Sequence, residues 1–88
     1  MGNNKIYIQF WNADKDEYEW REFATDEIDE LMRFGIIDED LLGFAMGIDQ
    51  AAFDQALIRM TELNRPWCYK EFADTFLSLT DKEIRIRA

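Results

Sequence analysis

The sequence predicts an α+β fold in one domain spanning residues 1–88, with a small antiparallel sheet covered by three to four short helices. Apolar residues alternate near both ends of the chain, at 5–11 and 84–87, whereas the apolar residues between them follow helical spacing. No linker or low-complexity stretch divides the 88 residues. The hydrophobic content of 48% and aromatic content of 15% exclude a disordered chain.

Two alternating runs near the N-terminus predict a β-hairpin. In residues 5–11 one side of the strand has Ile6, Ile8 and Phe10, and residues 18–23 resume the alternation after a polar, turn-rich stretch. We expect the apolar side to face the helices. The opposite side would then place its aromatic residues in solvent, which are Tyr7 and Trp11.

Three helices are predicted in the middle of the chain. The first ends at Gly35, a plausible left-handed stop, the second ends at Gly47, and the third ends before Pro66. Phe53 and Leu57 are predicted core residues of the third helix because they lie at its densest helical spacing. The residues predicted to cap the three helices are Thr25, Asp38 and Asp49.

The segment after Pro66 is compatible with helix and with strand. Apolar residues spaced from Tyr69 onward favour a helix to about Thr75, with Pro66 in its first turn. Leu77 and Leu79 would then belong to a terminal strand or hairpin that continues through residues 84–87. This last strand is expected to join the N-terminal hairpin in one sheet.

The negative charge is concentrated in residues 14–40. The chain has 19 acids and 10 bases, for a net charge of −9. Residues 14–40 contain twelve acids and three bases, so the remainder of the chain sums to zero. Direct binding to nucleic acid or to an anionic membrane is not expected, because both are themselves anionic. The acids are Asp14, Asp16, Glu17, Glu19, Glu22, Asp26, Glu27, Asp29, Glu30, Asp38, Glu39 and Asp40.

The composition argues against catalysis and against a cofactor. The chain has no histidine, one cysteine and no glycine-rich phosphate loop, which removes the common nucleophilic, zinc and nucleotide-binding arrangements. The stretch from Asp38 to Asp49 resembles a calcium loop only in part, because Leu42 and Asp49 occupy positions that require an oxygen ligand and a glutamate. We therefore expect no enzyme activity, no cofactor and no metal. The N-terminus lacks the features of a signal peptide, so we expect a cytoplasmic protein.

Two interpretations of the surface remain open. Acids one helical turn apart lie about 5–6 Å from each other, close to the roughly 7 Å phosphate spacing along one strand of a duplex. An acidic face could therefore compete for the Lys/Arg groove of a nucleic-acid-binding protein. Alternatively the acids only keep the chain soluble, and Tyr7 and Trp11 anchor a structural or regulatory interaction module.

The whole chain is small, acidic and histidine-free, and its first third has a hairpin-then-helix pattern, from Lys5-Ile6-Tyr7-Ile8 through Trp20 to Asp26-Glu27-Ile28-Asp29-Glu30-Leu31. In this composition and pattern it resembles small phage or plasmid anti-defence proteins, including anti-CRISPR proteins and antirestriction mimics of DNA. The resemblance implies inhibition of a nucleic-acid-handling complex through protein–protein contact, in the host cytoplasm, without a cofactor.

We accordingly expect an acidic binding protein whose partner is a basic nucleic-acid-binding protein or complex. The sequence leaves the identity of that partner and the oligomeric state open. The residues expected to contact the partner are Asp14, Asp16, Glu17, Asp26, Glu27, Asp29, Glu30, Asp38, Glu39 and Asp40, with Tyr7 and Trp11 as aromatic anchors.

Overall fold

Within residues 4–87, which the computed structural model describes, three strands are combined with four α-helices and two 3₁₀ turns. The α+β class predicted from the sequence is confirmed. In chain order the elements are β1 (Lys5–Asn12), β2 (Glu17–Ala24), a 3₁₀ turn (Thr25–Glu27), α1 (Ile28–Arg33), α2 (Glu39–Met46), a second 3₁₀ turn (Gly47–Asp49), α3 (Gln50–Glu62), α4 (Tyr69–Leu79) and β3 (Ile84–Arg87).

The sheet has the strand order β2-β1-β3 and is mixed. β1 and β2 form the predicted hairpin, from the pair Lys5 and Ala24 at its base to the pair Asn12 and Glu17 at its tip. β3 pairs with β1 in parallel, so the prediction of a wholly antiparallel sheet is wrong in this strand. The helical segment leaves the sheet at the hairpin base and returns to the same end. β3 must therefore run in the direction of β1.

The hydrophobic core lies between one face of the sheet and the four helices. Ile6 and Ile8 of β1 are buried on that face together with Ile84 and Ile86 of β3, as period-two alternation requires. Phe76 of α4 is the largest side chain that is completely buried. Helices cover this face alone, so the opposite face of the sheet remains open and presents the alternate residues of each strand.

Two predicted caps and two predicted helix ends are confirmed. The Asp38 carboxylate accepts a hydrogen bond from the Leu41 backbone N–H at 2.8 Å, and the Asp49 carboxylate accepts one from the Ala52 N–H at 3.2 Å. Hydrogen bonds from the Thr80 hydroxyl and this N–H hold the pKa of Asp49 below its usual range. Gly35 follows α1 with a φ of 75°, where a residue without Cβ avoids strain. The prediction that the second helix ends at Gly47 is also confirmed, and this residue, with a φ of −65°, leads into a 3₁₀ turn.

Other expectations about the helix ends are wrong. Thr25 does not cap α1, because its side chain is buried and donates to Asp74 at 2.6 Å. Pro66 precedes the first residue of α4 instead of lying in its first turn, and Cys68 is the N-cap.

The helical core faces also differ from the prediction at two leucines. Leu57 is 42% exposed, and α3 instead buries Ala52, Ala56 and Met60, which lie four residues apart. Leu77 belongs to α4 and is buried, so the helix continues four residues beyond Thr75 through Leu79. Leu57 is the residue next to Ala56 in sequence, so it lies to one side of the buried face that Ala52, Ala56 and Met60 form.

Two substitutions test this arrangement. Phe76→Ala removes a side chain that is 0% exposed, so it should lower the free energy of unfolding by about 3–5 kcal/mol. Leu57→Ala removes surface that is already largely hydrated and should cost about 1 kcal/mol or less. Urea unfolding measures both values. The reverse order of the two losses would contradict the packing of α3 and α4.

Candidate protein-binding surfaces

Ten of the twelve acids of residues 14–40 fall into two patches at opposite ends of the hairpin, and the other two, Glu19 and Glu22, lie between them on β2. Seven residue steps separate the pair Asn12 and Glu17 from the pair Lys5 and Ala24, which corresponds to about 24 Å along the strands. The single acidic segment of the sequence is therefore divided in space. The tip patch consists of Asp14, Asp16 and Glu17, and the helical patch consists of Asp26, Glu27, Asp29, Glu30, Asp38, Glu39 and Asp40.

The helical patch is assembled around the first turn of α4. The Lys70 ammonium lies 3.4 Å from the Asp26 carboxylate, and the neighbouring Tyr69 hydroxyl donates a hydrogen bond to Glu39. Asp29 and Glu30 follow Asp26 by three and four residues, and thus by one helical turn. Two acidic stretches, 26–30 and 38–40, are in this way brought to the same end of the molecule.

A hydrogen bond from the buried Thr25 to the partly exposed Asp74 fixes the position of α4 beneath this patch. Thr25 is 1% exposed, and its hydroxyl donates to Asp74 at 2.6 Å. Lys70 donates to the second oxygen of Asp74 at 2.7 Å. This hydrogen bond, with a smaller effect of Asp26, raises the pKa of Lys70, so the ammonium remains charged. The end of β2 and the start of α4 are therefore held together by complementary polar groups.

Some acids of the helical patch have structural partners. The Glu27 carboxylate accepts a hydrogen bond from the Ala24 backbone N–H at 2.9 Å, and Asp38 caps α2. Within residues 4–87, by contrast, Asp29, Glu30 and Asp40 form no side-chain hydrogen bond or ion pair, and all three are exposed. These three carboxylates are the ones most available to an external cation.

The tip patch adjoins two exposed aromatic side chains. The Asn12 side chain accepts hydrogen bonds from the backbone N–H groups of Asp14 and Lys15, which shape the turn. Trp11 and Tyr18 pack edge to face across the strands, with ring centroids 5.0 Å apart, and remain 53% and 55% exposed. The acids of the tip patch likewise form no side-chain hydrogen bond or ion pair among the described residues.

The hairpin tip extends beyond the third strand. β3 pairs with β1 only as far as Gln9, so the last three residues of β1 have a neighbour on one side alone. The molecule measures 47 × 26 × 23 Å, as expected when one element projects from the body. The tip therefore presents its aromatic residues and acids beyond the end of β3.

The predicted anchor Tyr7 has a different environment from Trp11. It lies on the open face of the sheet as expected, but the Arg85 guanidinium lies 4.9 Å from the centroid of its ring and 4.9 Å from that of Trp20. Tyr7 is consequently half-buried, whereas Trp11 is exposed. The alternation of residues along each strand did not indicate that Tyr18 is the partner of Trp11. The hairpin register would have found it, because these residues face each other across the strands.

The structure also has a groove between α2 and β3 that was not predicted from the sequence. It has a volume of about 840 Å³, and its lining includes Leu41, Phe44, Ile48, Arg85 and Arg87. Phe44 is 89% exposed, the largest value among the large apolar side chains of the described residues. A sequence signal for it existed, since α2 has apolar residues on all sides and a helix that touches the core on one side cannot bury every one.

Titration of Tyr69 tests the assembly of the helical patch. The hydrogen bond to Glu39 raises the pKa of the Tyr69 phenol. Glu39→Ala should therefore lower this pKa toward the ordinary value of about 10, while Asp40→Ala, at the next position, should leave it unchanged. Ultraviolet difference absorbance measures the ionisation of the phenol. An unaltered titration in Glu39→Ala would mean that α2 does not meet α4 in this way.

Comparisons with known proteins identified no protein similar to this chain. No protein-family model, curated protein or solved structure matches the chain. Among residues 4–87 no helix is long and apolar enough to cross a membrane, and no group of three or more cysteine, aspartate or glutamate side chains is arranged to hold a metal ion. The charges and aromatic residues of this chain are therefore the indications of its function.

Proposed function

We propose that the chain is a non-catalytic acidic binding protein that inhibits a basic, nucleic-acid-handling protein by occupying its Lys/Arg groove. The helical patch is the main contact surface in this proposal. The tip patch, about 24 Å away along the hairpin, provides a second, smaller contact.

The observation that supports the proposal most strongly is the exposure of the Asp29, Glu30 and Asp40 carboxylates without a paired cation within residues 4–87. These exposed carboxylates have no partner among the described residues. Of the neighbouring acids, Asp26 pairs with Lys70 of α4, and Glu39 accepts a hydrogen bond from Tyr69 of α4. Repulsion among close like charges destabilises the folded chain, although the positive ends of α1 and α2 offset part of it. A partner with a basic groove would relieve the remainder.

The helical spacing of the patch supports a groove that normally binds nucleic acid. Asp26, Asp29 and Glu30 lie within one turn, at separations of about 5–6 Å between Cβ atoms. Successive phosphates in one strand of a duplex are roughly 7 Å apart, a distance set by the rise of about 3.4 Å per nucleotide and by the winding of the strand around the axis. A Lys/Arg groove spaced for phosphates can therefore contact successive carboxylates of the patch, and electrostatic steering would speed the encounter.

A triple charge reversal tests the proposal. Asp29→Lys, Glu30→Lys and Asp40→Lys together change the charge of the patch by six units without removing the Glu27 or Asp38 hydrogen bonds. We expect the variant to lose binding mainly through a slower association rate, because steering depends on charge. Affinity capture from a host lysate at low and high salt identifies the partner, and surface plasmon resonance then measures the rates.

The matched control is the reversal of three exposed acids outside residues 14–40. Asp54, Glu62 and Asp81 are suitable because they are exposed, whereas Asp74 holds Thr25 and must be kept. The control should bind nearly as well as the wild type. Equal binding by the Asp29, Glu30 and Asp40 variant, with circular dichroism unchanged, would refute the proposal.

The exposed pair Trp11 and Tyr18 supports one alternative, a structural or regulatory module that docks through aromatic side chains. In that case Trp11→Ala with Tyr18→Ser would abolish partner binding, and the triple charge reversal would change it little. The salt dependence would differ as well, since apolar contacts respond weakly to ionic strength whereas exposed charge pairs are screened.

A further inference from the structure

The groove between α2 and β3 is lined mainly by apolar and basic residues, whereas the chain as a whole is acidic. The chain has 19 acids and 10 bases, yet the lining of the groove within residues 4–87 includes two arginines and no acid. Phe44 and Ile48 rise from its α2 side, 89% and 59% exposed. The side opposite α2 is formed by β3. This is an edge strand, and its outer backbone groups have no strand partner among residues 4–87.

Arg87 is the more available of the two arginines. Arg85 is already engaged, because its guanidinium lies beside Tyr7 and Trp20 and 2.7 Å from Glu83. Arg87 is exposed and forms no ion pair within residues 4–87. The groove therefore combines an apolar wall with one free cationic side chain.

The hairpin tip of the same chain is complementary to this groove. It has two exposed aromatic rings, Trp11 and Tyr18, next to acids that have no side-chain partner among the described residues. The tip extends beyond the last residue of β1 that pairs with β3. A groove of about 840 Å³ lies within the range of about 300–1,000 Å³ typical of ligand pockets, so it has room for two aromatic rings.

We propose that this chain self-associates head to tail, with the hairpin tip of one copy docked in the groove between α2 and β3 of a second copy. Trp11 and Tyr18 pack against Phe44 and Ile48, and the tip acids lie beside Arg87. Tip and groove are different surfaces, so the contact is heterologous and each copy retains one unused half. This contact requires no second kind of protein and leaves the helical patch free. The tip patch is the one surface that it shares with the inhibitory function proposed above.

The association is expected to be weak. Two copies of a chain with net charge −9 repel each other, while the attraction between the tip and Arg87 acts over a few ångströms. Physiological salt screens the longer-range repulsion over about 8 Å. The same salt also weakens the local pairs, so variants are more informative than a salt titration.

Sedimentation equilibrium of the purified chain tests the proposal. The mass of the wild type should rise above that of one chain as its concentration approaches about 1 mM, the range of weak complexes. Phe44→Ala with Ile48→Ala removes the groove wall, and Trp11→Ala with Tyr18→Ser removes the aromatic tip. Each double variant alone should remain monomeric, but an equal mixture of the two should form dimers, because each supplies the half that the other lacks.

A second tip variant keeps the rings and changes only the charge. Asp14→Lys with Asp16→Asn should weaken association by about threefold to tenfold, and asparagine tolerates the left-handed φ of 55° at position 16. Circular dichroism verifies that all variants are folded. A wild type that stays monomeric over this range, a mixture that forms no dimer, or a tip variant that associates like the wild type would overturn the proposal.

Discussion

The hydrogen bond between Thr25 and Asp74 is the constraint on which the remaining architecture depends. It joins the first residue after the hairpin to a helix 49 positions later in the sequence, and the threonine is buried. A buried hydroxyl without an acceptor would cost about 1–3 kcal/mol, so this pairing strongly favours one placement of α4. Lys70 shares the same carboxylate and reaches Asp26, which connects the anchor to the acidic surface.

This anchor explains how a fold of this size presents acids in two places. Held on α4, the stretches 26–30 and 38–40 form one patch, while the hairpin keeps its tip acids about 24 Å away along the strands. Lys70, the cation beside the anchor, pairs with Asp26 alone among the acids of the helical patch. Asp29, Glu30 and Asp40 have no ion-pair partner among the described residues, and the groove next to Arg87 is a separate surface that is apolar and basic.

Local patterns predicted local structure well in this chain. Alternation placed Ile6 and Ile8 on the buried face, and Asp38 was found as a cap because its carboxylate acts within one turn. Features that depend on distant contacts were missed. The direction of β3 is set by the path of the helices, and α3 buries Ala52, Ala56 and Met60 instead of Leu57. Thr25 forms its hydrogen bond with α4 rather than with its own helix. The acids were identified by counting, but their division into two patches required the hairpin register.

Competition with nucleic acid tests the central claim most directly. A partner captured on the wild-type chain would be loaded with fluorescent duplex DNA or RNA, and its anisotropy followed as the chain is added. The account predicts that the wild type displaces the nucleic acid in a concentration-dependent manner and that the Asp29, Glu30 and Asp40 reversal does not. A stable ternary complex, in which the partner holds both nucleic acid and this chain, would contradict it.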